Sequence, residues 1–73
     1  LETVIYSKPN CPYCTNAKNL FERLNIPYEE KVLDIDFTRD DLLEMFPGAK
    51  TFPQIIYDGE YVGGFAELAK RFG

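Results

Sequence analysis

The chain has 73 residues, 12 acidic and 8 basic side chains, no His and a formal net charge of −4. That length holds one domain and excludes a barrel enzyme, a dinucleotide-binding fold or a two-domain machine. The acidic balance speaks against a phosphate-neutralising, nucleic-acid-binding surface, and the lack of His removes Ser–His and Cys–His catalysis. With 45% hydrophobic and 15% aromatic residues the chain is apolar enough to fold. No run reaches the roughly 18 apolar residues of a membrane span. The sequence begins at Leu1 rather than Met, and nothing near its start resembles a secretory leader. A reducing cytoplasmic setting is therefore the expectation, and the two cysteines read there as chemistry before staple.

Thr3-Val4-Ile5-Tyr6 is a β-rich run ended by Lys8-Pro9-Asn10, which predicts a buried strand and a turn. From Cys11 to about Leu24, Ala17, Leu20, Phe21 and Leu24 recur at i, i+3, i+4 and i+7, the stripe of an amphipathic helix. Asn10 is the expected N-cap, Pro12 suits the first turn, and Asn25-Ile26-Pro27 stops the helix. Tyr28 to Ile35 alternates loosely and predicts a second strand. Thr38-Arg39-Asp40-Asp41 has the spacing of a capping box and opens a short helix through Phe46, ended by Pro47-Gly48. Asp58-Gly59 between Ile55-Ile56-Tyr57 and Glu60-Tyr61-Val62 predicts a type I′ hairpin. Gly63-Gly64 breaks that strand, and a short final helix spans 65–72. The order β-α-β-α-β-β-α, with the first two strands joined through a helix and so parallel, predicts an α/β domain over 1–73. Its four-stranded mixed sheet is flanked by three helices.

Cys11-Pro12-Tyr13-Cys14, directly after a strand and in the first turn of a helix, has the form of a redox motif. Two residues between the cysteines in a helical turn let their Cβ atoms close a disulfide. The positive helix N-terminus and Lys8 favour the thiolate of Cys11, so its thiol pKa is expected below that of a free cysteine. Cys11 is expected at the exposed tip as the attacking sulfur, and Cys14, set back, as the resolving one. A structural disulfide over so small a loop constrains the unfolded chain little. Zinc needs four ligands, which leaves only a site shared across a dimer.

The residues resemble the glutaredoxin family of the dithiol kind over nearly the whole chain. Cys11-Pro12-Tyr13-Cys14 is similar to its active-site tetrad. Thr51-Phe52-Pro53-Gln54-Ile55 is similar to its Thr-Val-Pro-Gln-Ile segment with a cis Pro, and Gly63-Gly64 to the paired glycines before its last helix. Lys8 falls where the family keeps a basic residue. The resemblance implies a thioredoxin-like fold and a thiol–disulfide oxidoreductase that uses Cys11 and Cys14, with glutathione as reducing co-substrate. It implies no tightly bound cofactor and no metal. Partners would be disulfide-bearing or glutathionylated proteins, a ribonucleotide reductase among the family's substrates, and the protein would act as a monomer. The glutathione groove it implies is lined by Tyr13, Thr51, Phe52 and Pro53, with the backbone N–H groups of Gly64, Phe65 and Ala66 on the γ-glutamyl carboxylate and Glu67 near the amine. Lys8, with Arg39 or Lys50, would neutralise the glycyl carboxylate. Phe52 is larger than the family's usual Val, Ala66 lacks its usual polar side chain, and Glu67 is a methylene longer than its Asp, which bear on glutathione affinity. The alternatives are a thioredoxin-type carrier reduced by a flavoprotein reductase, and an iron–sulfur dimer bridged through Cys11 and glutathione thiols.

Overall fold

Strand β1 (Val4–Ser7) lies inside the sheet because its four residues are all buried and carry side chains to both faces. The computed structural model describes residues 2–72. After β1 come α1 (Pro12–Arg23), β2 (Glu29–Val32), α2 (Arg39–Met45), β3 (Gln54–Tyr57), β4 (Glu60–Gly63) and α3 (Phe65–Phe72). The strands run β2-β1-β3-β4, with β1 parallel to β2 and antiparallel to β3, and β3 antiparallel to β4. This is the expected mixed sheet in the expected order.

The alternation along β1 divides the core. Ile5 packs with Ala17 and Phe21 of α1, Ile55 of β3 and Leu68 of α3. Val4 and Tyr6 point to the other face and pack with Phe37 and Leu42. Phe21, fully buried, stacks near Tyr57 at 6.1 Å and meets Tyr28 at 5.7 Å and the edge of Phe72 at 6.4 Å. One ring thus ties α1 to β3, α3 and the entry to β2.

The local signals act as their chemistry requires. Thr38 Oγ1 accepts the Asp41 N–H at 3.1 Å and Asp41 Oδ2 accepts the Thr38 N–H at 2.9 Å, so the capping box closes with Asp in place of Glu. Asp58 and Gly59 both have positive φ, 52° and 84°, as a type I′ turn demands. The α1 C-terminus is a Schellman arrangement: Asn25 at φ 57° lets its own N–H reach Glu22 O and the Ile26 N–H reach Phe21 O at 2.9 Å.

Three expectations are corrected. Asn10 is not the N-cap of α1; it sits in the left-handed region at φ 57°, and the extended residue before the helix is Cys11. Leu24 lies past the last core contact of the stripe, at the C-cap, and is 43% exposed. The second strand is shorter than Tyr28 to Ile35 and ends at Val32, because Asp36 Oδ2 accepts the Val32 N–H at 2.8 Å and Asp34 adopts φ 67°. Carboxylate-to-backbone bonds of this kind turn a chain out of a ladder.

Two outcomes follow from this packing. Phe21→Ala should cost about 3–5 kcal/mol, against about 1 kcal/mol for Thr38→Ala, both read from urea midpoints; similar losses would mean that Phe21 is not the hub described. Burial, with a hydrogen bond from its hydroxyl to Glu22 Oε2 at 2.6 Å, pushes the Tyr28 pKa from 10.0 up to about 12. A raised folded-state pKa stabilises the fold fully below the unfolded value, and that stability is lost as pH climbs from 10.0 through about 12. Alkaline absorbance titration should show a late transition that Tyr28→Phe removes.

Candidate active site

The end of β1 and the start of α1 place the two cysteines. Pro12 opens α1 at a position where no N–H is needed. Cys11 caps it in extended conformation, and its Sγ accepts the Cys14 N–H at 3.2 Å. A sulfur takes the role that an oxygen usually has at an N-cap. Cys11 and Cys14 are joined as a disulfide, with Cα atoms 5.2 Å apart. Cys11 is 9% and Cys14 2% exposed. The expected order of exposure holds, but the expected open tip does not, since Cys11 is largely buried as well.

On one side of the pair lies a groove of about 340 Å³. Tyr13 and Phe65 form one wall, their rings stacked at 6.2 Å. Thr51 and Phe52 form the opposite wall, and Gly64, Ala66 and Glu67 close the end. These are residues that the sequence reading had singled out. The Phe52–Pro53 bond is cis, as expected. Pro53 itself is fully buried beneath the groove, so its ring is not a lining group. Gln54, also buried, fixes this loop: its Nε2 donates to Thr51 O at 2.8 Å, and its Oε1 accepts from the Tyr61 hydroxyl at 2.5 Å.

The start of α3 differs from the expected anion site. The Gly64 N–H is not open; it donates to Glu67 Oε1 at 2.8 Å. The N–H groups of Phe65 and Ala66 remain without a partner inside the helix. The Gly64-x-x-Glu67 spacing is half of a capping box, a signal present in the sequence and not used there.

On the other side is a cavity of about 350 Å³ that Lys8 shares with Cys11, Cys14, Ser7, Lys18 and Glu30. Lys8 reaches from it over the Phe52 ring, its Nζ 5.7 Å from the centroid. Arg39 and Lys50 are exposed and line neither space, Arg39 being the first residue of α2. Burial pushes the Glu30 carboxyl up, but hydrogen bonds from Lys18 and Ser7 outweigh it and hold it below its ordinary value. The sequence reading missed Ser7, Lys18 and Glu30 as neighbours of the cysteines. Lys18 follows Cys14 by four residues, one helical turn, and that spacing was the available signal.

Residues 3–62 match the family model for glutaredoxin. Glutaredoxin-2, mitochondrial, of Bos taurus is 41% identical over 66 residues, 84% of this chain and 41% of the relative. Glutaredoxin-C8 of Oryza sativa is 37% identical over 76 residues, 97% of this chain and 56% of the relative. The chain thus spans about half the length of these curated relatives. Among solved structures, glutaredoxin 1 from Francisella tularensis complexed with cacodylate superposes with a TM-score of 0.82 at 35% identity, covering 97% of this chain and 91% of that one. The buckwheat glutaredoxin–glutathione complex superposes with a TM-score of 0.83 at 28% identity, covering 96% of this chain and 66% of that one.

Gly63 has φ 116°, and a Cβ there would lie 3.1 Å from Glu67 Oε1. Gly63→Ala should therefore lower the unfolding free energy by about 1–3 kcal/mol and dislodge Glu67 from the Gly64 N–H. A urea midpoint equal to that of the unaltered protein would contradict this.

Proposed function

This chain belongs to the glutaredoxin family, and we propose that it is a glutathione-dependent thiol–disulfide oxidoreductase whose nucleophile is Cys11. One observation carries the assignment: the Cys11 sulfur caps α1 and accepts the Cys14 N–H at 3.2 Å. In the reduced protein the same N–H and the positive end of the helix favour a thiolate at that sulfur and not at Cys14. Only a thiolate attacks a disulfide. Cys11 would take one sulfur of a protein disulfide or a glutathione mixed disulfide, and release the other half as a thiol. Cys14 then attacks Cys11 and frees the bound half, leaving the Cys11–Cys14 disulfide for glutathione to reduce.

The groove supports glutathione as the reductant. Thr51 and Phe52 line it, and the backbone there would pair with an extended ligand as an added strand does. The N–H groups at the start of α3 suit a carboxylate, Glu67 suits an amine, and Lys8 supplies positive charge beside Phe52. The buckwheat relative was crystallised with glutathione, which gives the ligand class a precedent on this fold. The chemistry suits a reducing, cytoplasmic pool and substrates that are glutathionylated or disulfide-bearing proteins.

The test separates the two sulfurs. Cys11→Ser should abolish both glutathione-dependent reduction of a small mixed disulfide and reduction of insulin disulfides. Cys14→Ser should keep the first and lose the second. A Cys14→Ser protein dead in both assays would overturn the assignment. Turnover with a flavoprotein thioredoxin reductase and none with glutathione would overturn the choice of reductant.

A further inference from the structure

Ser7 and Gln54 are the buried polar residues among the described residues, and only the role of Gln54, clamping the loop before β3, is accounted for. Ser7 is 1% exposed. It shares with Ile5 the face of β1 that looks towards α1. Ile5 packs under Ala17 and Phe21, so Ser7, two residues on, lies under the preceding turn of α1, which carries Cys14. Both line the cavity behind the disulfide. There the Ser7 hydroxyl donates to Glu30 Oε2 at 2.8 Å, and Lys18 Nζ lies 3.0 Å from the same oxygen. The charged groups around Cys14 in this cavity are Lys8, Lys18 and Glu30.

We infer that Ser7 and Glu30 form a proton relay that serves Cys14 in the resolving step, a role that rests on the reading of Cys14 given above. The chemistry calls for such a group. Cys14 is buried, and its thiol must lose a proton to attack, yet the chain contains no His. A serine hydroxyl can accept one proton while it donates another. The Cys14 thiol passes its proton to Ser7 Oγ as the Ser7 hydroxyl gives its own to the Glu30 carboxylate. The Cys14 sulfur, now a thiolate, bonds to the Cys11 sulfur. The bond between Cys11 and the substrate sulfur breaks, and its electron pair leaves with that sulfur, which takes a proton from solvent. Glu30, with its side chain 32% exposed, returns its proton to water. Lys18 keeps Glu30 ionised and ready to accept, and it places a positive charge one turn from the nascent Cys14 thiolate. The same hydrogen bonds hold the Glu30 carboxyl below its ordinary value, so it is ionised at neutral pH and a weak base.

The experiment isolates the step. Reduced protein is mixed with 5,5′-dithiobis(2-nitrobenzoate) in a stopped-flow cell. Attack by Cys11 releases a first thionitrobenzoate, and attack by Cys14 on the mixed disulfide releases a second. Ser7→Ala should slow the second phase about 10-fold relative to its effect on the first, below the usual range of general-base effects because the base is weak. Glu30→Gln, which keeps an oxygen to accept from the Ser7 hydroxyl, should do the same. A merely structural role would alter both phases alike. Equal changes in both phases, or a second phase as fast as in the unaltered protein, would overturn the relay. An unaltered protein that shows no second phase would instead overturn the role of Cys14 itself.

Discussion

The site depends on one backbone hydrogen bond, from the Cys14 N–H to the Cys11 sulfur. For that bond to form, β1 must end at Ser7 and α1 must begin at Pro12, which leaves four residues to reverse the chain. Asn10 makes the turn by entering the left-handed region at φ 57°, which asparagine tolerates better than most residues. Pro12 then opens the helix at a position where its missing N–H costs nothing. The axis of α1 is held from below by Ala17 and Phe21 against Ile5. The reactive end of the helix thus sits at the rim of the sheet, while its stability comes from the middle of the core.

The opposite wall of the groove is held by a different device. A loop that carries Thr51 and Phe52 has no ladder to align it, so its shape rests on Gln54. That amide spends its donor on Thr51 O and its acceptor on the Tyr61 hydroxyl, inside the protein. Leaving either group buried and unpaired would cost about 1–3 kcal/mol, which gives the loop one favoured arrangement. Tyr61 is in turn stacked on Phe46 at 4.8 Å, so the wall is coupled to the end of α2.

Local chemistry was the legible part of the sequence. The Thr38 capping box, the Asp58-Gly59 turn and the Gly63-Gly64 break act within a few residues, and each appears where its residues stand. The groove residues were legible only through resemblance, since Tyr13, Phe52 and Phe65 are distant in sequence and carry no common pattern. What was missed depends on competition or on tertiary approach. Asn10 and Cys11 could both cap α1, and the sulfur took the position once the asparagine was needed for the turn. Ser7, Lys18 and Glu30 lie on three elements, and nothing local announces that they meet.

The start of α3 shows how a side chain of the protein itself can occupy part of an anion site. Glu67 reaches back to the Gly64 N–H, so the first donor of the helix is already bound to a carboxylate of the chain itself. A ligand carboxylate that approaches Phe65 and Ala66 meets two free donors and, next to them, a negative charge. The helix end attracts an anion by about 0.3–1 kcal/mol at an exposed site, and a like charge at close range opposes it by a comparable amount. A simple anion therefore gains little there. A ligand end that carries an amine beside its carboxylate, as the proposed co-substrate does, would reverse the balance, with the amine on Glu67 and the carboxylate on the helix. Under the proposed glutathione-dependent function, the groove would thus favour a zwitterion over an acid through the same side chain that caps the helix.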